Sequence, residues 1–360
     1  MISDKNFDKE RINKLAKNHN VSNEHLEKLA CAFKVLETLS ENQIDFIFKG
    51  GTSILLLLNK LNRLSIDIDI LCPKNKKEEI ISRIKNIKSS FFSKIDEQKR
   101  PPKPGVDKAH FQFNYDSVID EEVEESFVLL DVVFEDDVYS LVQIKDINNG
   151  LFDFEEPIFK VNLPTIDELI GDKLVAFAPH TSGIKFTDFY KDERPKHIEI
   201  IKQLYDISTL LDYSIDFESI SKTYRNLIIN SLPFYENVKR VEDCLEDTIL
   251  TCSNIIAYGE FGSKEEYRIL MQGLNGFNAY VLGENVSNEA LVKMAVKVYI
   301  LATKILFNNN IGLVEIPDST CFFGKHKQQI QLALQDKELY KELRKCAYMN
   351  AKKNSKFGLF

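Results

Sequence analysis

Two aspartates, Asp67 and Asp69, interrupt the apolar run Ile66-Asp67-Ile68-Asp69-Ile70-Leu71. In an extended strand alternate side chains share a face, so both carboxylates point one way and the isoleucines the other. Two like charges on so apolar a segment repel each other and lose hydration, and they need a positive partner. A divalent cation is one such partner. Asp131, the sole charge in the run from Phe127 to Phe134, offers a third oxygen donor. Acids on neighbouring strands suit Mg²⁺, which keeps waters and takes phosphate oxygens as its remaining ligands. Asp67, Asp69 and Asp131 are therefore expected to be metal ligands and catalytic groups for phosphoryl transfer. The bland alternative, helix caps or buried ion pairs, would have to occur three times in succession on strands.

Gly50-Gly51-Thr52 precedes a short apolar segment of helical length. A glycine turn running into a helix N-terminus presents backbone N–H groups and the positive end of the helix dipole to phosphates. Glycine also serves a tight turn for steric reasons alone; the D-x-D one helix later favours the phosphate reading. No Gly-Lys-Ser/Thr occurs, so this is not a Walker loop. Arg63 and Ser65, between the turn and the aspartates, either hold a triphosphate or shape the loop.

These residues need a scaffold. A helix is expected from Leu26 to Glu37, capped by Ser22 or Asn23, then a strand at Ile44 to Phe48, a helix at Thr52 to Asn59 and a strand at Ile66 to Leu71. A polar helix from Lys76 to Lys88 and a turn-rich linker over 98–107 follow. Further strands are read at Ala109 to Tyr115, Phe127 to Phe134, Leu141 to Ile144 and Ile158 to Val161. From the capping box Thr165-Ile166-Asp167-Glu168 the period becomes helical, with helices at 166–178, 196–211, 217–230, 235–258, 264–273, 288–307 and 325–351. The expected fold class is α+β, with a mixed sheet flanked by helices in an N-terminal domain over 1–162 and an α-helical C-terminal domain over 163–360.

Composition sets the outer limits. The chain has 360 residues, 44% hydrophobic and 28% charged, which is ordinary for a globular protein of about two domains. Its six scattered cysteines form no C-x-x-C pair, and they fit a reducing cytosol better than zinc or a disulfide framework. No apolar run approaches a membrane span and no leader is visible, so a cytoplasmic protein is expected. A net charge of −8 argues against indiscriminate nucleic-acid coating. Local basic patches occur at Lys74 to Lys88, at Lys99-Arg100 with Lys103, and from Lys341 to Lys356, against an acidic stretch from Asp116 to Glu125. Each is read first as a solvated face.

Two further residues invite chemistry. Lys173 falls within the apolar stripe Ile166, Leu169, Ile170, Leu174, Phe177, where a lysine either snorkels to the rim or meets an anion. Asp206 follows Lys202 by four residues, so it is either half of a surface pair or a packed functional acid beside Leu204, Ile207 and Leu210. His180 and His197 are taken as ordinary packed or surface histidines.

Lys49-Gly50-Gly51-Thr52 followed by Arg63-x-Ser65-x-Asp67-Ile68-Asp69 resembles the polymerase-β-like nucleotidyltransferase superfamily, and within it the AbiEii/MenT branch of toxins from type IV toxin–antitoxin and phage-abortive systems. The run from Gly171 to Pro179, with Lys173, is similar to that branch's lysine motif. Lys202-Gln203-Leu204-Tyr205-Asp206-Ile207 is similar to its C-terminal aspartate motif. The likeness spans about residues 25 to 212, and His180 stands where many relatives carry an arginine. It implies an enzyme that uses Mg²⁺ and moves a nucleoside monophosphate from an NTP to an acceptor hydroxyl, at the 3′ end of tRNA, stopping translation under restraint by a cognate antitoxin. Gly50, Gly51, Thr52, Arg63, Ser65 and Lys173 would then hold the NTP, with Asp67, Asp69 and Asp131 on the metal and Asp206 orienting Lys173 or a nucleotide group. A protein or small-molecule acceptor, or a non-catalytic NTP- or partner-binding module, is the alternative.

Overall fold

Runs of β-branched and aromatic residues with period two build one mixed sheet. Among the described residues it contains β1 (Ile47–Lys49), β2 (Ile68–Cys72), β3 (Lys94–Glu97), β4 (Lys108–Tyr115), β5 (Ser126–Phe134), β6 (Val142–Asp146) and β7 (Lys160–Pro164). The computed structural model describes every residue except 59, 61, 101–104, 106, 121–125, 137, 187–195, 214–215, 236–237, 311–315, 317–322 and 354–360. Lys103, Lys356 and the acidic stretch beyond Asp120 therefore lie outside the described residues. The strand order is β3-β4-β5-β2-β1-β7-β6. β2 with β5 and β1 with β7 run parallel, and the other neighbours antiparallel.

One face of this sheet is core. Ile68 and Ile70 of β2, Phe111 and Phe113 of β4, and Val128, Leu130, Val132 and Phe134 of β5 are all buried. Helix α1 (Lys9–His19) precedes α2 (Asn23–Glu41), which starts at Ser22, whose hydroxyl accepts the His25 N–H. α2 packs on β2 and β5, with Leu26, Leu29, Phe33 and Leu36 in its buried stripe. Helix α3 (Gly50–Leu58) leaves β1 at the double glycine, and α4 (Lys77–Lys85) leads toward β3.

The remaining helices are α5 (Ile166–Ala176), α6 (His197–Leu210), α7 (Phe217–Ser231), α8 (Val241–Ile256), α9 (Lys264–Phe277), α10 (Asn288–Leu306), α11 (Lys327–Leu334) and α12 (Lys337–Lys353). The chain forms two compact units, Met1–Leu169 with Ala279–Asn285, and Ile170–Asn278 with Val286–Phe360. In the second unit α10 is central and packs against α6, α8, α11 and α12. Among the described residues no helix is long and apolar enough to cross a membrane.

The structure departs from the sequence expectation in several places. α1 buries only Ile12 and Ala16, too thin a stripe to stand out, and β3 is the polar segment Lys94-Ile95-Asp96-Glu97. The single helix expected over 325–351 is two, because Gln335 turns left-handed (φ 51°) and the Asp336 carboxylate then accepts the N–H groups of Glu338 and Leu339, both at 2.9 Å, to start α12. The capping box at Thr165 is only half made: the Thr165 hydroxyl accepts the Glu168 N–H, while the Glu168 carboxylate instead takes the N–H groups of Ser140 and Leu141.

His180 lies on the loop that follows α5 and is no ordinary histidine. Its Nδ1 is 2.7 Å from Asp247 Oδ1, its Nε2 is 2.8 Å from Glu266 Oε1, and its backbone N–H donates to Asp247 Oδ2. The Thr181 hydroxyl donates to the same oxygen. The hydrogen bond to Asp247 first, and that to Glu266 second, raise the imidazole to about 10, so the ring is a cation that ties the loop to α8 and α9. A raised value means that the clamp contributes fully below the ordinary histidine range near ~6.5 and is lost as pH climbs through about 10. Thermal unfolding measured across that window should show the wild type losing, toward the alkaline end, the advantage it holds over His180→Gln near neutral pH.

Candidate active site

The backbone pairing sets a row of four polar side chains across the accessible face of the sheet. Lys49 of β1 pairs with Asp69 of β2, Asp69 with Asp131 of β5, and Asp131 with His110 of β4. Side chains at one level of adjacent strands share a face, so the two carboxylates are neighbours, one strand spacing of about 4.8 Å apart. Asp131 is partly exposed, at 29%, and His110 Nδ1 lies 2.7 Å from its Oδ1, with Arg100 Nη1 3.8 Å from the same oxygen.

The acids are therefore not buried as the apolar sequence suggested. β5 alternates, with Val128, Leu130, Val132 and Phe134 inward and Leu129, Asp131 and Val133 on the more open face. β2 begins at Ile68, one residue later than needed to include Asp67, which is exposed just ahead of it. The cause is local: the Thr52 hydroxyl donates to the Asp67 carbonyl at 2.8 Å, which ties the start of α3 to the strand entry. Thr52 is buried, so its hydroxyl acts on the backbone, and any contact it makes to a phosphate would come from its N–H.

What lies over the turn leaves no room for a Cβ at Gly50 and little at Gly51. Gly50 has φ +80°, and a Cβ there would stand 2.2 Å from Asp69 Oδ2. A Cβ on Gly51 would stand 2.5 Å from Arg63 Nη2 and 2.6 Å from Ser65 Oγ. The turn thus gathers the Asp69 carboxylate, the Arg63 guanidinium and the Ser65 hydroxyl beside the first turn of α3, whose leading N–H groups have no partner within the helix. The loop carrying Arg63 is braced from far along the chain. Arg63 bridges to Val281, the Leu64 N–H donates to the Tyr280 carbonyl, and the Leu282 N–H donates to the Asn62 carbonyl.

In the second unit, Lys173 of α5 and Asp206 of α6 meet in a buried ion pair, Nζ to Oδ2 2.6 Å, with side chains 5% and 2% exposed. This excludes a rim lysine, and at 2% exposure Asp206 is not half of a surface pair; Lys202 lies 3.5 Å from Glu199. The first basic patch is largely neutralised: Lys76 pairs with Asp45, Lys77 with Asp107, Arg83 with Glu79 and Lys85 with Glu97.

The donor set fits a divalent ion that arrives with a polyphosphate. Among the described residues no three His, Cys, Asp or Glu side chains are gathered into a ready metal cage. Mg²⁺ does not need one, since it commonly binds through one or two carboxylates and fills its shell with water and phosphate oxygens. Adjacent Asp69 and Asp131, with Asp67 alongside on the same chain segment, meet that requirement. His110, Arg100 and the 279–285 segment were not anticipated as parts of the site. The alternation of His110 with Phe111 and Phe113 was visible, but its level with Asp131 depends on register.

Gly51→Ala collides only with the ends of two side chains, so the variant should fold with an unfolding midpoint close to wild type. If Arg63 contributes a charge-assisted hydrogen bond of about 1.5–3 kcal/mol, nucleotide affinity measured by calorimetry should fall roughly ten- to a hundredfold. Lys173→Met leaves Asp206 charged and buried, and should cost about 3–5 kcal/mol in urea unfolding. The double variant Lys173→Met/Asp206→Leu should recover most of that loss, and an additive cycle would mean the pair is not coupled.

A model of the family described as "Nucleotidyl transferase AbiEii toxin, Type IV TA system" matches residues 34–250, more than half of the chain. Among solved structures, MenT4, a nucleotidyltransferase toxin from Mycobacterium tuberculosis, aligns with a TM-score of 0.52 at 13% identity, covering 94% of this chain and 97% of that one. JHP933 from Helicobacter pylori aligns at 0.41 and 16% identity over 88% of this chain and 100% of its own. A putative nucleotidyltransferase from H. pylori aligns at 0.39 and 16% identity over 79% and 95%. No protein with a curated description matches the sequence. MenT4 shows the shared fold, and the family match carries the activity. The chain belongs to the AbiEii family of nucleotidyltransferase toxins of type IV toxin–antitoxin systems.

Proposed function

We propose that this toxin transfers a nucleoside monophosphate from an NTP to the 3′-terminal hydroxyl of tRNA in a Mg²⁺-dependent reaction, and so arrests translation and growth. The observation that supports this most is the cross-strand adjacency of Asp69 and Asp131 beside a glycine turn that holds Asp69, Arg63 and Ser65 together. Asp67, Asp69 and Asp131 would hold the ion, whose part is to offset the negative charge on the phosphate oxygens as it builds. The Gly50-Gly51 turn and the N-terminus of α3 receive phosphate oxygens, and Arg63 and Ser65 donate to them. Asp131 accepts the proton of the acceptor hydroxyl. That oxygen forms its bond to the α-phosphorus as the bond to the β-phosphate oxygen breaks, and pyrophosphate leaves. The family resemblance also assigns Lys173 to use of the NTP, with Asp206 holding its ammonium.

RNA as the acceptor follows from the family resemblance and not from surface charge, given how many lysines of the first basic patch are paired with acids. The family also implies an antitoxin, and a direct complex with it belongs to the same proposal.

The decisive experiment incubates the full chain with Mg²⁺, total tRNA and each α-³²P-labelled NTP in turn. Labelled RNA and released pyrophosphate are expected, with one NTP preferred. Asp69→Asn should abolish the label while leaving the unfolding midpoint nearly unchanged, because removing a charge from a carboxylate pair seldom destabilises the sheet. Label on polypeptide or on a small molecule would replace the acceptor, and nucleotide binding without pyrophosphate release would remove the catalytic reading altogether.

A further inference from the structure

The polar face of β4 carries His110, Gln112 and Asn114, and two of the three are absorbed by neighbouring segments. Gln112 accepts from the Gln98 amide at 2.8 Å, and Asn114 donates to Asp96 at 3.3 Å. His110 alone turns to the acid row. Its Nδ1 lies 2.7 Å from Asp131 Oδ1, and its side chain is only 14% exposed, so the ring is held in place by its surroundings. An ionised carboxylate has no hydrogen to give, so the hydrogen in this bond sits on Nδ1. Both described partners of Asp131, His110 and the more distant Arg100, contact the same oxygen, Oδ1.

We infer that His110 is a positioning residue of the active site, which commits one oxygen of Asp131 to the sheet and thereby presents the other to the divalent ion that enters with the nucleotide. The inference rests on the metal reading of Asp69 and Asp131 above. The row gives it its physical basis: Lys49, Asp69, Asp131 and His110 stand at one level on four consecutive strands, so the two acids face each other and each has an outer neighbour on its far side. A carboxylate on a strand can rotate about its Cα–Cβ and Cβ–Cγ bonds. A donor fixed 2.7 Å from Oδ1 removes that freedom, and outer partners of this kind are commonly worth ten- to a hundredfold in metal affinity. Arg100 is 43% exposed at 3.8 Å and adds charge, but little geometric control.

The test measures Mn²⁺ binding to the full chain, with no nucleotide present, from the loss of the free-ion signal in electron paramagnetic resonance. His110→Leu keeps the bulk and removes the donor; His110→Asn places an amide N–H close to the position of Nδ1. Expected are Mn²⁺ affinity weakened about tenfold in His110→Leu, affinity within about threefold of wild type in His110→Asn, and similar unfolding midpoints for all three proteins. Equal affinity in wild type and His110→Leu would overturn the inference while leaving the metal reading in place. Affinity in His110→Asn as weak as in His110→Leu would overturn it too, and if His110→Leu does not fold, His110→Phe removes the donor in its place and is read against the same outcomes. Loss of Mn²⁺ binding in Asp69→Asn, with binding intact in wild type, separates the two levels. A wild type that binds no Mn²⁺ overturns the inference, and the metal reading is then decided by the labelling assay run with and without Mg²⁺.

Discussion

The pairing of β2 with β5 is the constraint from which the site follows. Ile68, Asp69, Ile70, Leu71 and Cys72 lie level with Leu130, Asp131, Val132, Val133 and Phe134. A slip of one residue would turn Asp69 to the opposite face from Asp131 and would also expose the isoleucines. The buried faces of both strands, closed by α2, make that slip expensive, and the Thr52 bond to the Asp67 carbonyl fixes where the ladder starts. Hydrophobic burial on one face thus sets a spacing between charges on the other. The pairings of β4 with β5 and of β1 with β2 place His110 and Lys49 at the two ends of the row.

The two units solve the problem of buried charge in different ways. In the sheet unit the acids stay on an accessible face, where solvent lowers the cost of their repulsion. In the helical unit Lys173 and Asp206 are removed from water as a neutral pair, which costs less than burying either alone. His180 is a third case, a partly exposed ring held between two carboxylates, Asp247 and Glu266.

Much of this was legible in the residues. Apart from α1 and β3, the strand and helix order through Ala176 follows from period-two and period-3.6 runs, and the double glycine and D-x-D marked the candidate site because few other arrangements require both. Asp67 and Asp69 are more open than so apolar a segment suggests, because alternation in β5 leaves one face of the sheet open. β3 escaped notice because Lys94-Ile95-Asp96-Glu97 has no apolar run; it is a strand only because β4 offers it a ladder. His110 shows the general limit. Sequence spacing reveals which face of its own strand a residue occupies, but its level against another strand depends on pairing across the chain, here over twenty-one positions to Asp131.

The brace on Arg63 has a further consequence. Residues 279–285 belong to the sheet unit although a long helical stretch separates them in sequence from the loop they support. A ribosome delivers the chain from its N-terminus, so the strands and acids emerge first, and the loop that aims Arg63 gains its backbone partners only after α9 has been made. The nascent chain therefore completes the loop that carries Arg63 late in synthesis, so its sheet exists for an interval before that loop is fixed.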